Sequence, residues 1–209
     1  MFKRINLCII ALIISGYGLA QADIFSGLHQ LFSGSGSPKP TLIKASGTIE
    51  VAFSPNNGVT ASIVKALSQA QKSILVSAYS FTSKDIAGAL LAAKKRGVEV
   101  KLILDKSQVS QKYSSSTFFF NQGFEQRIDI KHAIYHDKVM IIDSKTVITG
   151  SFNFTRAAET KNAENVLILR DNPELARLYS RDWWFNWQQA LPRAEFILNH
   201  QVHKADTDE

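Results

Sequence analysis

Most of the chain alternates short apolar runs with longer amphipathic stretches. The runs Ile49–Phe53, Ser73–Phe81 and Val98–Leu104 have the composition and length of strands. Between them, Ala61–Ala70 repeats its apolar residues at helical spacing, and Ser83–Arg96 begins with a capping serine and is followed by a glycine. This alternation predicts an α/β fold: a mixed, largely parallel central sheet with helices on both faces, in a single domain.

The second half of the chain continues the same pattern. Strands are predicted over Arg127–Lys131, Val139–Ile142, Thr146–Ile148 and Glu164–Leu169. A final helix begins at Asn172 and Pro173, a cap followed by a proline in the first turn, and runs to about Ala190. We therefore place the domain at residues 47–190 and interpret residues 191–209 as a polar, mobile C-terminal tail.

The stretch Ile134–Phe154, which reads IYHDKVMIIDSKTVITGSFNF, collects the polar residues that suggest chemistry. His136 and Lys138 are two residues apart, so in a strand they project from one face with Cβ atoms roughly 6 to 7 Å apart. Asp143 has the opposite parity near the strand end, which suggests a supporting role. After the second strand, Gly150 permits close approach of a ligand to the backbone, and Ser151 and Asn153 follow as polar donors.

An imidazole, an ammonium group and hydroxyl or amide donors form a site suited to an oxyanion. Histidine can form a covalent intermediate, and lysine is a compact point charge that binds phosphate. The stretch holds no paired carboxylates for a metal. We therefore expect attack on a phosphodiester with no metal and no cofactor. The alternative, that His136 and Lys138 are ordinary strand residues, is disfavoured by their position beside a Gly-Ser turn.

The pattern H-x-K-x4-D-x6-G-S-x-N resembles the signature of the phospholipase D superfamily at every position. With Asn162-Ala163-Glu164-Asn165 beyond it, the stretch is most similar to the small bacterial endonucleases of the Nuc type, and the resemblance covers about residues 45–190. It implies a phospholipase D-like fold and a metal-independent phosphohistidine mechanism. Glu164 matches the family's acidic residue that hydrogen-bonds the catalytic imidazole.

The resemblance also assigns roles and a partner. Members with one motif form two-fold homodimers with a shared active site, so one His136 would attack phosphorus and the other would act as general acid. Lys138, Asn153, Ser151 and Gly150 would bind the phosphate, with Asp143 and Glu164 in support. DNA is the expected substrate, cut without sequence preference, and RNA is possible. The alternatives are a phospholipase D acting on membrane phospholipids and, more remotely, a non-catalytic protein that binds phosphate or DNA.

The N-terminus has the pattern of an export signal. Residues 1–22 combine Lys3 and Arg4, an apolar run and the small-x-small sequence Ala20-Gln21-Ala22, so we expect a cleaved signal peptide and a periplasmic or secreted protein. Residues 23–46 are interpreted as a linker or N-terminal segment. Cys8, the single cysteine, lies in the leader, so the mature chain would have neither disulfides nor a thiolate metal site. Loss of Lys3 and Arg4 would lower the formal charge from +6 to +4, which is compatible with a polyanionic partner.

Several other residues admit both a structural and a functional interpretation. Phe118, Phe119 and Phe120 cannot all face one core, and partial burial is favoured over a substrate-stacking wall. His132 shares parity with His136 but lacks further metal ligands nearby, so we interpret it as structural. The three tryptophans on the final helix are expected to be core or interface anchors.

Overall fold

The computed structural model describes residues 36–205, with side chains up to residue 200. The strands are β1 (Thr48–Ser54), β2 (Ser73–Ala78), β3 (Glu99–Asp105), β4 (Glu125–Asp129), β5 (Lys138–Ile142), β6 (Thr146–Gly150), β7 (Glu164–Arg170) and β8 (Leu191–Pro192). The helices are α1 (Val59–Ser68), α2 (Lys84–Lys95), α3 (Ser107–Ser110), α4 (Ser116–Asn121), α5 (Arg156–Thr160), α6 (Pro173–Gln189) and α7 (Arg193–Ala205). The predicted signal peptide, its cysteine and residues 23–35 lie outside the described residues, and residues 36–46 contain no helix or strand.

All eight strands form one mixed sheet in the order β1-β7-β6-β5-β2-β3-β4-β8. Helices cover both faces, which confirms the predicted architecture. The expectation that the sheet is largely parallel was wrong, because only β2–β3 and β3–β4 pair in parallel and the other five pairs are antiparallel. Helical crossovers make the parallel pairs, whereas the tight turn at Asp143 and Ser144, both with positive φ, makes β5 and β6 an antiparallel hairpin.

Each face of the sheet has its own apolar core. On one face α1 and α2 pack with residues such as Leu67 and Leu90 against Val76 and Met140 of the sheet. On the other face α6 places its three tryptophans against Leu75, Ile103 and Ile141, as expected for core anchors. The predicted helix starts are confirmed, since Ser83 Oγ accepts from Ile86 N and Asn172 Oδ1 accepts from Leu175 N.

The C-terminal segment is not the polar tail that the sequence analysis predicted. Leu191–Pro192 pairs with β4, and α7 follows immediately. Phe196 is only 6% exposed, and the buried Arg193 guanidinium lies 4.8 Å from the Phe120 ring. The Phe196 ring and the Arg193 side chain therefore anchor a segment whose overall composition is polar. The consecutive apolar residues Phe196, Ile197 and Leu198 in an otherwise mostly polar stretch were the signal for this helix.

The triple phenylalanine lies on α4 and is partly buried. Phe119 is fully buried among Phe81 and Phe124, whereas Phe118 and Phe120 remain 37% and 45% exposed. The favoured interpretation of partial burial is therefore confirmed. Within residues 36–205, no helix has both the length and the apolar character needed to cross a membrane.

Candidate active site

Three predicted site residues, the phosphate-binding Lys138 and Gly150 and the supporting Glu164, meet at one edge of the sheet, where the strands begin or end. Lys138 opens β5 and pairs with Ala78 at the end of β2. Gly150 closes β6 opposite Val166, and Glu164 opens β7 opposite Ser54. Because neighbouring antiparallel strands start and end at the same edge, these residues gather there although they are up to 26 positions apart in sequence.

His136 precedes β5 and is not part of the strand, contrary to the predicted shared strand face. The two residues are nevertheless joined, since the Lys138 ammonium donates to the His136 carbonyl oxygen at 2.6 Å. The imidazole is exposed. It packs against Tyr79, whose ring centroid is 4.7 Å from that of His136 and 5.2 Å from Lys138 Nζ.

Tyr79 was missed by the sequence analysis. It follows β2 directly, and its backbone N–H donates to the Asp137 carbonyl at 2.9 Å. Its position at the end of a buried strand was a sign that it could lie near a functional site. The sequence did not show that it would lie beside His136, because that depends on the pairing of β2 with β5. An aromatic face between an imidazole and an ammonium can stabilise either one when it is positively charged.

Lys138 is the buried charge of the site, with 7% of its surface exposed. Burial lowers its pKa, while the carboxylates of Asp137 and Glu164 act in the opposite direction. An ammonium in such a poorly solvated place interacts strongly with a nearby anion. The arrangement therefore suits a phosphoryl group whose negative charge grows during a reaction.

The turn after β6 is closely packed against β7. A Cβ on Gly150 would lie 2.2 Å from the Asn165 carbonyl oxygen, so the missing side chain makes room for strand β7. The predicted approach of a ligand to Gly150 stays a prediction. Ser151 N donates to that same oxygen at 3.1 Å, and Ser151 Oγ accepts from Asn165 N and Nδ2. Asn153 Oδ1 is buried without a hydrogen-bond partner. A buried unpaired amide oxygen at this turn is an acceptor that could take a hydrogen bond from a donor on a ligand or a partner chain.

Glu164 lies close enough to influence Lys138 but does not orient the imidazole in this structure. Its Oε1 accepts from Asn162 Nδ2 at 3.0 Å. The described residues contain no hydrogen bond between Glu164 and His136, so the role implied by the resemblance stays a prediction. The carboxylate contributes attraction to the Lys138 ammonium instead.

Asp143 does not lie in the site, contrary to its predicted supporting role there. It follows the far end of β5, about 16 Å from Lys138 at 3.3 Å per residue. Its carboxylate accepts from the backbone N–H groups of Gln71, Lys72 and Ser73 at 2.7 to 3.0 Å. Asp143 therefore stabilises the turn that leads into β2, at the opposite edge of the sheet.

His132 is paired with the carboxylate of Asp129. Its Nδ1 is 3.0 Å from Asp129 Oδ1, in agreement with the structural interpretation. Within residues 36–205, no three His, Cys, Asp or Glu side chains are grouped closely enough to hold a metal ion.

Comparison with known proteins decides the family. The family model described as "Cardiolipin synthase, PLD-like domain" matches residues 63–187. The chain belongs to the phospholipase D superfamily. The predicted enzyme class, a phosphodiesterase of that superfamily, is thereby confirmed, whereas the comparisons leave the choice between nucleic acid and phospholipid open.

Named relatives and solved structures agree with this assignment. The chain is similar to "Phospholipase D" of Rickettsia felis (37% identity, covering 87% of this chain and 93% of the relative). It is also similar to "Phospholipase D" of Rickettsia typhi (43% identity, covering 65% and 66%). Among solved structures it resembles a phospholipase D family member, Nuc from Salmonella typhimurium, with 41% identity and a TM-score of 0.66, covering 69% of this chain and 97% of that one.

Proposed function

We propose that this phospholipase D superfamily member is an exported endonuclease that hydrolyses the phosphodiester bonds of DNA. The observation that carries the proposal is the pairing of an exposed imidazole, His136, with a buried ammonium, Lys138, which donates to the His136 carbonyl. The imidazole is accessible to a large substrate, and the ammonium is fixed beside it. Hydrolysis is expected to proceed without a divalent metal.

In the proposed reaction a ring nitrogen of His136 attacks phosphorus and the bond to the leaving oxygen breaks. The leaving oxygen takes a proton from the same histidine of a second copy of the chain, which then removes a proton from water. That water attacks the phosphohistidine, and the N–P bond breaks to release the product and regenerate the free imidazole. The second copy is part of the proposal because the described residues of one chain place only one imidazole beside Lys138.

Lys138 and Asn153 would carry the developing charge on the non-bridging oxygens. The desolvated ammonium is held in place before substrate arrives, so little reorganisation is required during the reaction. Asn153 would donate to these oxygens through its Nδ2 amide group, and Ser151 adds a hydroxyl at the same turn. The Tyr79 ring would stabilise the positively charged imidazole through its π face.

Two features favour DNA as substrate. Without Lys3 and Arg4 of the leader, the mature chain would carry a formal charge of +4, and a basic protein gains affinity for a polyanion by neutralising phosphates. The motif is also most similar to the small endonucleases of the Nuc type, and the solved Nuc structure is covered almost completely by this chain. The leader sequence supports a periplasmic or secreted location, where extracellular DNA is accessible.

A phospholipid substrate is the second candidate, and one observation favours it. A groove of about 590 Å³ opens beside the site, with Tyr79 in its wall and mostly apolar lining from Val109, Ile134, Phe196 and Ile197. An acyl chain would bury apolar surface there. The rickettsial relatives carry the name Phospholipase D.

The test is hydrolysis of plasmid DNA and of phosphatidylcholine vesicles in excess EDTA. Wild type should nick and degrade plasmid, whereas His136→Ala should lose measurable turnover and Lys138→Ala should lose mainly kcat. His132→Ala is the matched control, because that histidine lies on the same connecting segment but is paired with Asp129. If only the vesicles are hydrolysed, the substrate is phospholipid and not DNA. Substantial DNA cleavage by His136→Ala would refute the assignment of His136 as the nucleophile.

A further inference from the structure

His136 lies in a segment without regular secondary structure. Residues 130–137 connect β4 to β5 across the ends of β2 and β3 and form no helix or strand. Such a connection has no ladder of backbone hydrogen bonds to hold it. The geometry of the proposed nucleophile therefore depends on individual side-chain anchors.

The first anchor is Asp105, the last residue of β3. It is 3% exposed, and its Oδ2 accepts from the backbone N–H of Tyr135 at 2.8 Å. Its Oδ1 accepts from Ser107 N at 2.9 Å, which fixes the orientation of the carboxylate. A buried carboxylate that accepts two backbone N–H groups forms stronger hydrogen bonds than a neutral acceptor would.

The second anchor is the Tyr135 side chain. It is buried, and its hydroxyl lies 2.7 Å from Ser77 Oγ of β2. The residue directly before His136 is thus held at both its backbone nitrogen and its phenol oxygen, by two different strands. On the other side of His136, the Asp137 carbonyl accepts from Tyr79 N.

We propose that Asp105 and Tyr135 are positioning residues that hold His136 in its attacking geometry. This inference rests on the proposed role of His136 as nucleophile. Neither residue needs to touch the substrate. Both act through the backbone at residue 135, which sets where the imidazole stands relative to Tyr79 and Lys138.

The anchors restrict the backbone at residue 135 during folding, so its conformational entropy does not have to be lost again when the substrate reacts. Without anchors, the reacting imidazole would sample several positions before reaching the phosphorus. A displacement of about 1 Å can lower turnover about 100-fold even when the substrate still binds. Loss of the anchors should therefore appear in kcat and much less in KM.

The neighbouring strand provides a matched control. Asp129 is the register partner of Asp105, ends β4, and is 1% exposed. Its carboxylate accepts from the backbone N–H of His132 and lies 3.0 Å from His132 Nδ1. Asp105→Asn and Asp129→Asn therefore remove the same charge from equally buried, adjacent positions, but only the first removes the carboxylate that holds Tyr135.

The experiment compares Asp105→Asn, Asp129→Asn and Tyr135→Phe in the full mature chain. Turnover is measured with bis(4-nitrophenyl) phosphate, and the histidine Cε1–H signals are recorded by NMR and assigned with His132→Ala and His136→Ala. Asp105→Asn should lower kcat about 10- to 100-fold with KM within about twofold, and should move the His136 signal because its distance to the Tyr79 ring changes. Asp129→Asn should move the His132 signal and leave kcat within about threefold of wild type.

Two results would overturn the positioning role. One is an unchanged His136 signal in Asp105→Asn, and the other is an equal loss of kcat in Asp105→Asn and Asp129→Asn. If Asp105→Asn does not fold, Tyr135→Phe decides, with an expected kcat loss of about three- to tenfold for one hydrogen bond and a shifted His136 signal. Because the NMR signal needs no substrate, inactivity of the wild type would refute the proposed function, and the NMR comparison alone would then decide whether Asp105 fixes the position of His136.

Discussion

Replacement of Gly150 by alanine tests whether the turn after β6 positions the site. An added Cβ would lie 2.2 Å from the Asn165 carbonyl oxygen and 3.0 Å from Val166 Cα, whereas ordinary contact begins at about 3.4 Å. Both neighbours are backbone of β7 and cannot rotate away. Strand β7 must therefore move by about 1 Å relative to β6, or the β6 turn must move.

The loss of stability in Gly150→Ala can be worked out from the contacts that the movement of β7 disrupts. The Asn165 oxygen accepts from Ser151 N at 3.1 Å, and a shift of about 1 Å lengthens this hydrogen bond beyond its useful range. One lost backbone hydrogen bond and the residual strain together cost about 2–4 kcal/mol. For a domain of this size the Tm should fall by roughly 5–15 °C. Ser151 and Asn153 would be displaced with the turn, which should lower kcat about 100-fold.

Two other glycines separate the contributions. Gly47 lies at the opposite edge of the sheet, where a Cβ would be 1.8 Å from the Arg170 carbonyl oxygen. Gly47→Ala should therefore lower Tm comparably but leave kcat near the wild-type value. Gly88 is exposed on α2 with no atom within 4 Å of an added Cβ, so Gly88→Ala should stabilise the protein by about 0.5–1 kcal/mol.

The assay is thermal unfolding together with steady-state hydrolysis at a temperature where every variant is folded. We expect Gly150→Ala to lower both Tm and kcat, Gly47→Ala to lower Tm alone, and Gly88→Ala to lower neither. A Gly150→Ala variant with wild-type kcat would refute the role of this turn in catalysis. Equal kcat losses in Gly150→Ala and Gly47→Ala would show that general destabilisation explains the effect.

Two further predictions concern aspartates. Asp143→Ala should lower the free energy of unfolding by about 1–3 kcal/mol, because three backbone N–H groups lose their acceptor. The kcat of the folded protein should be unchanged. A large loss of kcat would show that Asp143 supports the active site after all. Burial and the neighbouring Asp182 raise the pKa of Asp137 above its usual 3.8, so its stabilising contribution is complete below that pH and is lost as pH rises through the raised value. Asp137→Asn should therefore raise Tm at pH 7 and flatten the dependence of Tm on pH above the usual carboxyl pKa of 3.8, and an unchanged pH profile would contradict this assignment.

Local patterns were sufficient to predict much of the fold. Apolar periodicity predicted seven of the strands and three of the four long helices, α1, α2 and α6, because those elements bury one face or both and their apolar residues recur at the matching spacing. The caps at Ser83 and Asn172 were predictable because capping involves residues only three apart. The H-x-K motif was sufficient to predict the superfamily, since its residue types and spacing are specific in combination.

Long-range contacts decided the rest. Strand order, the mostly antiparallel pairing and the docking of α7 depend on which surfaces meet, which no local window records. For the same reason, the sequence did not show which residues surround His136. Tyr79 is 57 positions before His136 and contacts it only because β2 lies beside β5. Asp143 is only seven positions after His136 but lies far from it, because β5 extends between them. Asp105 holds Tyr135 only because β3 ends where the connecting segment passes. The sequence by itself determined the reactive groups and their chemistry, and the tertiary structure decided which other groups surround them, because a strand separates nearby residues while a sheet brings distant ones together.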